Sequence, residues 1–129
     1  MIILDESIDE QQQKQLLRRR IRAFRIGNDI GRAGMQDEEI IPFLRTLRRP
    51  TFFAWDSDFY HKRLCSNHFC LVYLNVRVSE ITQYIRRLLR HPEFKTWAQR
   101  KGRVVRLAPS GISVWQIRVP RLKRYGWND

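Results

Sequence analysis

Two short apolar runs in this sequence each end in acid. Met1-Ile2-Ile3-Leu4 meets Asp5-Glu6, and Thr51-Phe52-Phe53-Ala54 passes through Trp55 to Asp56-Ser57-Asp58. Such runs read as buried strands. If they are parallel neighbours, their carboxyl ends share the crevice in which open α/β sheets hold ligands. Carboxylates crowded there repel one another unless a divalent cation lies between them. A third acidic segment, Asp37-Glu38-Glu39, opens a helical pattern and can add Asp37 to the set. Asp5, Asp37, Asp56 and Asp58 are therefore the candidate catalytic residues and the candidate ligands for Mg²⁺ or Mn²⁺. The chemistry served by such a set is phosphodiester hydrolysis, in which a bound metal activates water and neutralises charge on the phosphate. Glu6, Glu38 and Glu39 are candidates for outer contacts. The plainer alternative makes Asp37 and Asp58 simple helix caps.

Charge points to the ligand. The 129 residues carry 25 Lys+Arg against 13 Asp+Glu, a formal net charge of +12. After Asp58 only Glu80, Glu93 and Asp129 are acidic. A basic body around a few clustered acids fits a polyanion-binding surface with a metal site in it. Candidate RNA contacts are Arg18 and Arg19, Arg48 and Arg49, which could line the rim of the crevice. His61 and Lys62 follow the acidic motif, and Arg121, Lys123 and Arg124 run into Tyr125 and Trp127 near the C-terminus. Cations beside aromatics suit single-stranded RNA.

The elements that must position these residues alternate. Residues 1–4 read as a strand, and Ser7-Ile8-Asp9-Glu10 as a capping box that opens a helix closed by Arg18-Arg19-Arg20. Residues 21–26 are strand-like, and Gly27-Asn28-Asp29 breaks them. Ile40, Ile41, Leu44 and Leu47 form a helical stripe, with Pro42 suited only to a first turn. The strand at 51–54 precedes a helical turn or two over 58–64 and a buried strand at 69–74. Ile81, Tyr84, Ile85, Leu88 and Leu89 mark the clearest helix, and a short one is expected over 92–102. Residues 103–108 and 112–119 pattern as strands around Pro109-Ser110-Gly111, most simply a terminal hairpin. This order predicts an α/β protein, a three-layer α/β/α sandwich on a mostly parallel sheet. One domain over 1–119 and a basic-aromatic tail over 120–129 are expected.

No apolar run approaches the ~20 residues of a membrane span, and the first one is too short for a signal peptide. Two cysteines make no disulfide framework, so a cytoplasmic location is expected. His61, Cys65, His68 and Cys70 have no familiar zinc spacing, and Cys70 begins an apolar run in which it packs as a small hydrophobe.

The segments Ile3-Leu4-Asp5-Glu6, Gln36-Asp37-Glu38-Glu39-Ile40 and Ala54-Trp55-Asp56-Ser57-Asp58-Phe59 resemble the compact PIN-like nucleases, whose members show strand ends of the type LLDEN, SDEEI and LLTRDKDF. The resemblance spans about residues 1–90. It implies a PIN-like fold, metal-dependent ribonuclease activity and, as in VapC-type toxins, a toxin role beside a cognate antitoxin protein. By motif, Asp5, Asp37, Asp56 and Asp58 fall on the acidic metal-binding positions. Trp55 stands where the family shows Arg, Ala54 where it shows Thr or Ser, and the early-helix glutamate of fuller PIN domains has no counterpart.

The expected function is thus a metal-dependent endoribonuclease, the toxin of a bacterial toxin–antitoxin pair. Its expected partners are RNA and an antitoxin, with a homodimer also open. Two alternatives stand beside it: a non-catalytic RNA- or protein-binding module on the same fold, and a receiver-like signalling domain. A receiver requires Lys-Pro after its fifth strand, where this chain has Arg106-Leu107-Ala108-Pro109.

Overall fold

The computed structural model describes residues 1–127. It is an α/β protein built on one seven-stranded sheet, in the order β2-β1-β3-β4-β5-β6-β7. The strands are β1 (Ile2–Leu4), β2 (Ala23–Arg25), β3 (Thr51–Ala54), β4 (Cys70–Leu74), β5 (Arg103–Ala108), β6 (Gly111–Gln116) and β7 (Lys123–Tyr125). The first five run parallel, while β6 and β7 each pair antiparallel with the preceding strand. The helices are α1 (Glu10–Arg18), α2 (Asp37–Leu44), α3 (Ile81–Arg90) and the single turn α4 (Trp97–Arg100).

Strand alternation divides the core into two clusters, one on each sheet face. Leu4, Phe53, Val72, Val105 and Leu107 pack with Leu16 of α1 and with Ile81, Ile85 and Leu88 of α3. Ile3, Phe52, Ala54, Leu71 and Val104 point the other way, toward Ile40 and Leu44 of α2 and Phe59. Helices therefore lie on both faces, an arrangement compatible with three layers. A buried polar contact joins α1 to α3: the Gln12 Oε1 accepts from the Thr82 backbone at 3.1 Å and from its hydroxyl at 2.7 Å.

Local boundaries depart from the sequence expectation for identifiable reasons. Asp9, not Ser7, caps α1, and its carboxylate accepts from the Gln12 amide at 3.1 Å. Gln36 is the N-cap of α2, so Pro42 lies inside that helix. The proline removes the bond that its amide would make to Glu38, and α2 ends two residues later. The expected helix over 92–102 shrinks to α4, because the Thr96 hydroxyl caps it late by accepting from Gln99. Lys123–Tyr125, placed by sequence in a tail, form the edge strand β7, with Val114 opposite Lys123 and Ile112 opposite Tyr125.

Candidate metal centre

The sheet order makes β1 and β3 adjacent although β2 intervenes in sequence. The chain leaves β1 toward one edge and β3 toward the other, so their carboxyl ends flank the topological switch point, where such sheets bind ligands. Asp5 follows β1, and Asp56 lies two residues beyond β3. Between them Trp55, 42% exposed, fastens the turn by donating from its indole nitrogen to the Val76 carbonyl at 3.1 Å.

Asp56 caps a one-turn 3-10 helix over Ser57–Phe59, its Oδ1 accepting from the Asp58 amide at 2.9 Å. That turn aims both carboxylates to one side, while Phe59 returns to the core against the Phe52 ring, 5.1 Å away. Asp37 arrives from the head of α2. Its approach is fixed by Glu6, whose carboxylate accepts from the Gly34 amide at 2.8 Å and ties the preceding loop to the end of β1. The contact leaves no room at Gly27, where φ is +86° and a Cβ would lie 2.9 Å from the Glu6 Oε2.

The result is a compact trio. Asp37, Asp56 and Asp58 each offer a carboxylate oxygen within 4.8 Å of the others. Asp37 and Asp58 are exposed and Asp56 is half-buried. Asp5 stands just outside, with its Oδ2 accepting from the Ser7 hydroxyl at 2.6 Å. Its charge still reaches the trio. The Asp37 carboxyl is held above the ordinary aspartate range, first by burial and then by Asp56, Asp58, Asp5 and Glu38. A helix N-terminus favours the carboxylate, so repulsion and burial outweigh the dipole here. Among the described residues no cation pairs with the trio: the ion pairs present are Lys14 with Glu10 and Arg32 with Glu39. Oxygen donors alone, close together and mutually repelling, match a hard divalent cation.

The capping alternative fails for Asp37 and Asp58. Neither carboxylate accepts a capping bond; Gln36 and Asp56 hold those positions. Two of the outer acids have other work. Glu6 holds the loop, and Glu39 accepts from the Gln36 amide at 3.4 Å and pairs with Arg32. Glu38 is exposed beside Asp37.

The basic candidates divide. Arg18 and Arg19 end α1, and Arg48 and Arg49 precede β3. They therefore lie at the amino ends of the strands, opposite the acids, and cannot line the crevice. The reason is topological: in a parallel sheet each connection returns the chain to the far end. Lys62 sits over the Trp115 ring at 5.5 Å and donates to the Pro120 carbonyl at 3.3 Å, with His61 exposed before it. Arg121 is exposed ahead of β7, and Lys123 and Arg124 point to opposite faces of that strand. His61, Cys65, His68 and Cys70 gather no metal-ligand group among the described residues. Burial pushes the Cys70 thiol up to about 12.

No helix among the described residues is long and apolar enough to cross a membrane. Compared with family models, curated proteins and solved structures, the chain matches none.

Proposed function

We propose that this protein is a metal-dependent endoribonuclease that hydrolyses RNA phosphodiester bonds with a carboxylate-held Mg²⁺ or Mn²⁺. The observation that carries the reading is the trio of Asp37, Asp56 and Asp58, whose oxygens converge within 4.8 Å with no cation paired to them among the described residues. These three would hold the ion, and Asp5 would complete the negative field at the end of β1. A divalent ion there supplies an activated water and neutralises charge on the scissile phosphate. The chain positions the acids: the Asp56 cap orients Asp58, and the Glu6–Gly34 contact brings in Asp37. The basic remainder of the chain, with its net charge of +12, would attract the RNA backbone in a salt-dependent way.

The resemblance of the three acidic segments to PIN-like nucleases supports the same activity. It also extends the proposal to a cytoplasmic toxin held by an antitoxin. A receiver-like role is disfavoured by Ala108, which stands before Pro109 at the end of β5, while Arg106 lies within the strand.

Cleavage of a labelled RNA pool with Mg²⁺ or Mn²⁺ tests the proposal. Cleavage by the wild type that both EDTA and Asp56→Asn abolish is the expected result. Intact RNA under every condition would refute it.

A further inference from the structure

Ladder register places a second functional arrangement beside the acids. Ala54, the last residue of β3, pairs with Tyr73 of β4, Tyr73 with Arg106 of β5, Arg106 with Ser113 of β6, and Ser113 with Arg124 of β7. Cross-strand partners share a face, so the row runs unbroken from the acidic turn to the sheet edge. At about 4.8 Å per strand its four steps span roughly 19 Å.

The row lies on the face away from α1 and α3. Val105, Leu107, Ile112 and Val114 alternate with it and are buried under those helices. On its own face, cover from α2 and the turns after β3 reaches Leu71 and Val104. Beyond that cover Tyr73, Arg106 and Ser113 are half-buried and Arg124 is exposed. A groove of about 300 Å³ opens there, lined by Arg106, Ser113 and Arg124 with the Gly111 turn. Tyr60, two residues past Asp58, fills the gap between the acids and the groove. Its ring is 6.3 Å from Tyr73, and its hydroxyl faces Ser113 near both guanidiniums.

Arg106 and Arg124 are like charges two strands apart, roughly 10 Å, and neither meets a carboxylate among the described residues. Two unpaired guanidiniums at that spacing along one row can each take a phosphate of the same strand. The intervening groups are aromatic rings and a hydroxyl, which suit bases and sugars rather than an acidic peptide. A paired duplex hides the faces of its bases, whereas an unpaired strand can offer them to the rings.

We propose that single-stranded RNA lies across the uncovered face of β5, β6 and β7, with phosphates at Arg106 and Arg124 and bases against Tyr60 and Tyr73. The inference rests on the nuclease reading for its direction, since the row ends at Ala54, two residues before Asp56.

Fluorescence anisotropy with a labelled oligouridylate in EDTA tests the track without cleavage. Arg106→Gln with Arg124→Gln should weaken binding by about tenfold and reduce the salt slope by roughly 1.4, the share of two single-strand phosphate contacts. Arg18→Gln with Arg19→Gln removes equal charge at the far end and should change affinity less than about twofold. Arg124→Gln alone, on the exposed edge, should give a partial loss even if the double variant misfolds. Equal losses from the two pairs, no oligouridylate binding, or equal dependence of a duplex on the pair would overturn the track. Cleavage by wild type that Asp56→Asn abolishes, with binding indifferent to Arg106 and Arg124, would remove the track and leave the nuclease. Binding that depends on the pair without any cleavage would do the reverse.

Discussion

The backbone amide of Asp5 donates to the carbonyl of Phe53 at 2.9 Å. The bond carries the β1–β3 ladder one residue past the end of β1. It fixes the first acid beside the turn that carries Trp55, Asp56 and Asp58. Acid placed at a strand end is thus part of the sheet's own hydrogen bonding between β1 and β3.

Asp37 gives the sharpest pH prediction. Its folded-state pKa is raised above 3.8 by burial and then by Asp56, Asp58 and Asp5. The folded protein therefore keeps this proton to higher pH than the unfolded chain. Its contribution to stability falls as pH rises from 3.8 through the raised value, and the full penalty persists at neutral pH. Without metal, Asp37→Asn should stabilise the protein at neutral pH by up to about 1 kcal/mol, limited by solvent screening. The advantage should vanish in acid. Excess Mn²⁺ should reverse the order, raising the wild-type melting temperature more than the variant's. Thermal unfolding at two pH values, with and without Mn²⁺, reads all of these signs.

Arg100 is 7% exposed and donates from Nε to the Thr51 hydroxyl at 3.0 Å and from a terminal nitrogen to the Phe94 carbonyl at 2.9 Å. No carboxylate accompanies it among the described residues. Arg100→Ala strands the fully buried Thr51 hydroxyl and opens a void beneath α4, which should cost about 2–3 kcal/mol in urea unfolding. A loss below about 0.5 kcal/mol, the level of an ordinary surface change, would show that the guanidinium does not anchor α4 to β3.

Cys70 is fully buried, with its thiol pushed up to about 12, while Cys65 is half-buried with its thiol raised by burial. Neither is a reactive thiolate at neutral pH. A chromogenic disulfide reagent should modify Cys65 slowly and Cys70 only at the rate of unfolding. Added Zn²⁺ should protect neither thiol.

What the sequence made legible was local. The strands at β1 and β3 ended where apolar runs met acid, and the stripe of Ile81, Tyr84, Ile85 and Leu88 gave α3. Among the acids, Asp37, Asp56 and Asp58 converge, while Asp5 stands outside the trio. Register was not legible. Nothing in the spacing of Tyr73, Arg106, Ser113 and Arg124 marks them as neighbours, because only strand pairing aligns them. The same gap put Arg48 and Arg49 at the wrong end of the sheet, and it left β7 in the tail. Glu6 looked like an outer ligand by its place beside Asp5, although its carboxylate is spent on the Gly34 amide.

The loop clamp yields one more expectation. Gly27→Ala forces a methyl toward Glu6 in a left-handed conformation, at φ +86°. It should destabilise the fold by about 1–2 kcal/mol and weaken Mn²⁺ binding by displacing Asp37. Glu6→Gln, which keeps an acceptor for Gly34, should do less of both. Paired melting and Mn²⁺ titrations of the two variants provide the comparison.

The central claim is that Asp37, Asp56 and Asp58 form a divalent-cation site. Calorimetric titration of Mn²⁺ into the wild type and Asp56→Asn tests it most directly, because asparagine keeps the cap on Asp58 while removing the charge. Saturable binding by the wild type, abolished or weakened at least about tenfold in the variant, is the predicted result. Equal titrations of the two proteins, or no saturable binding to either, would contradict the account.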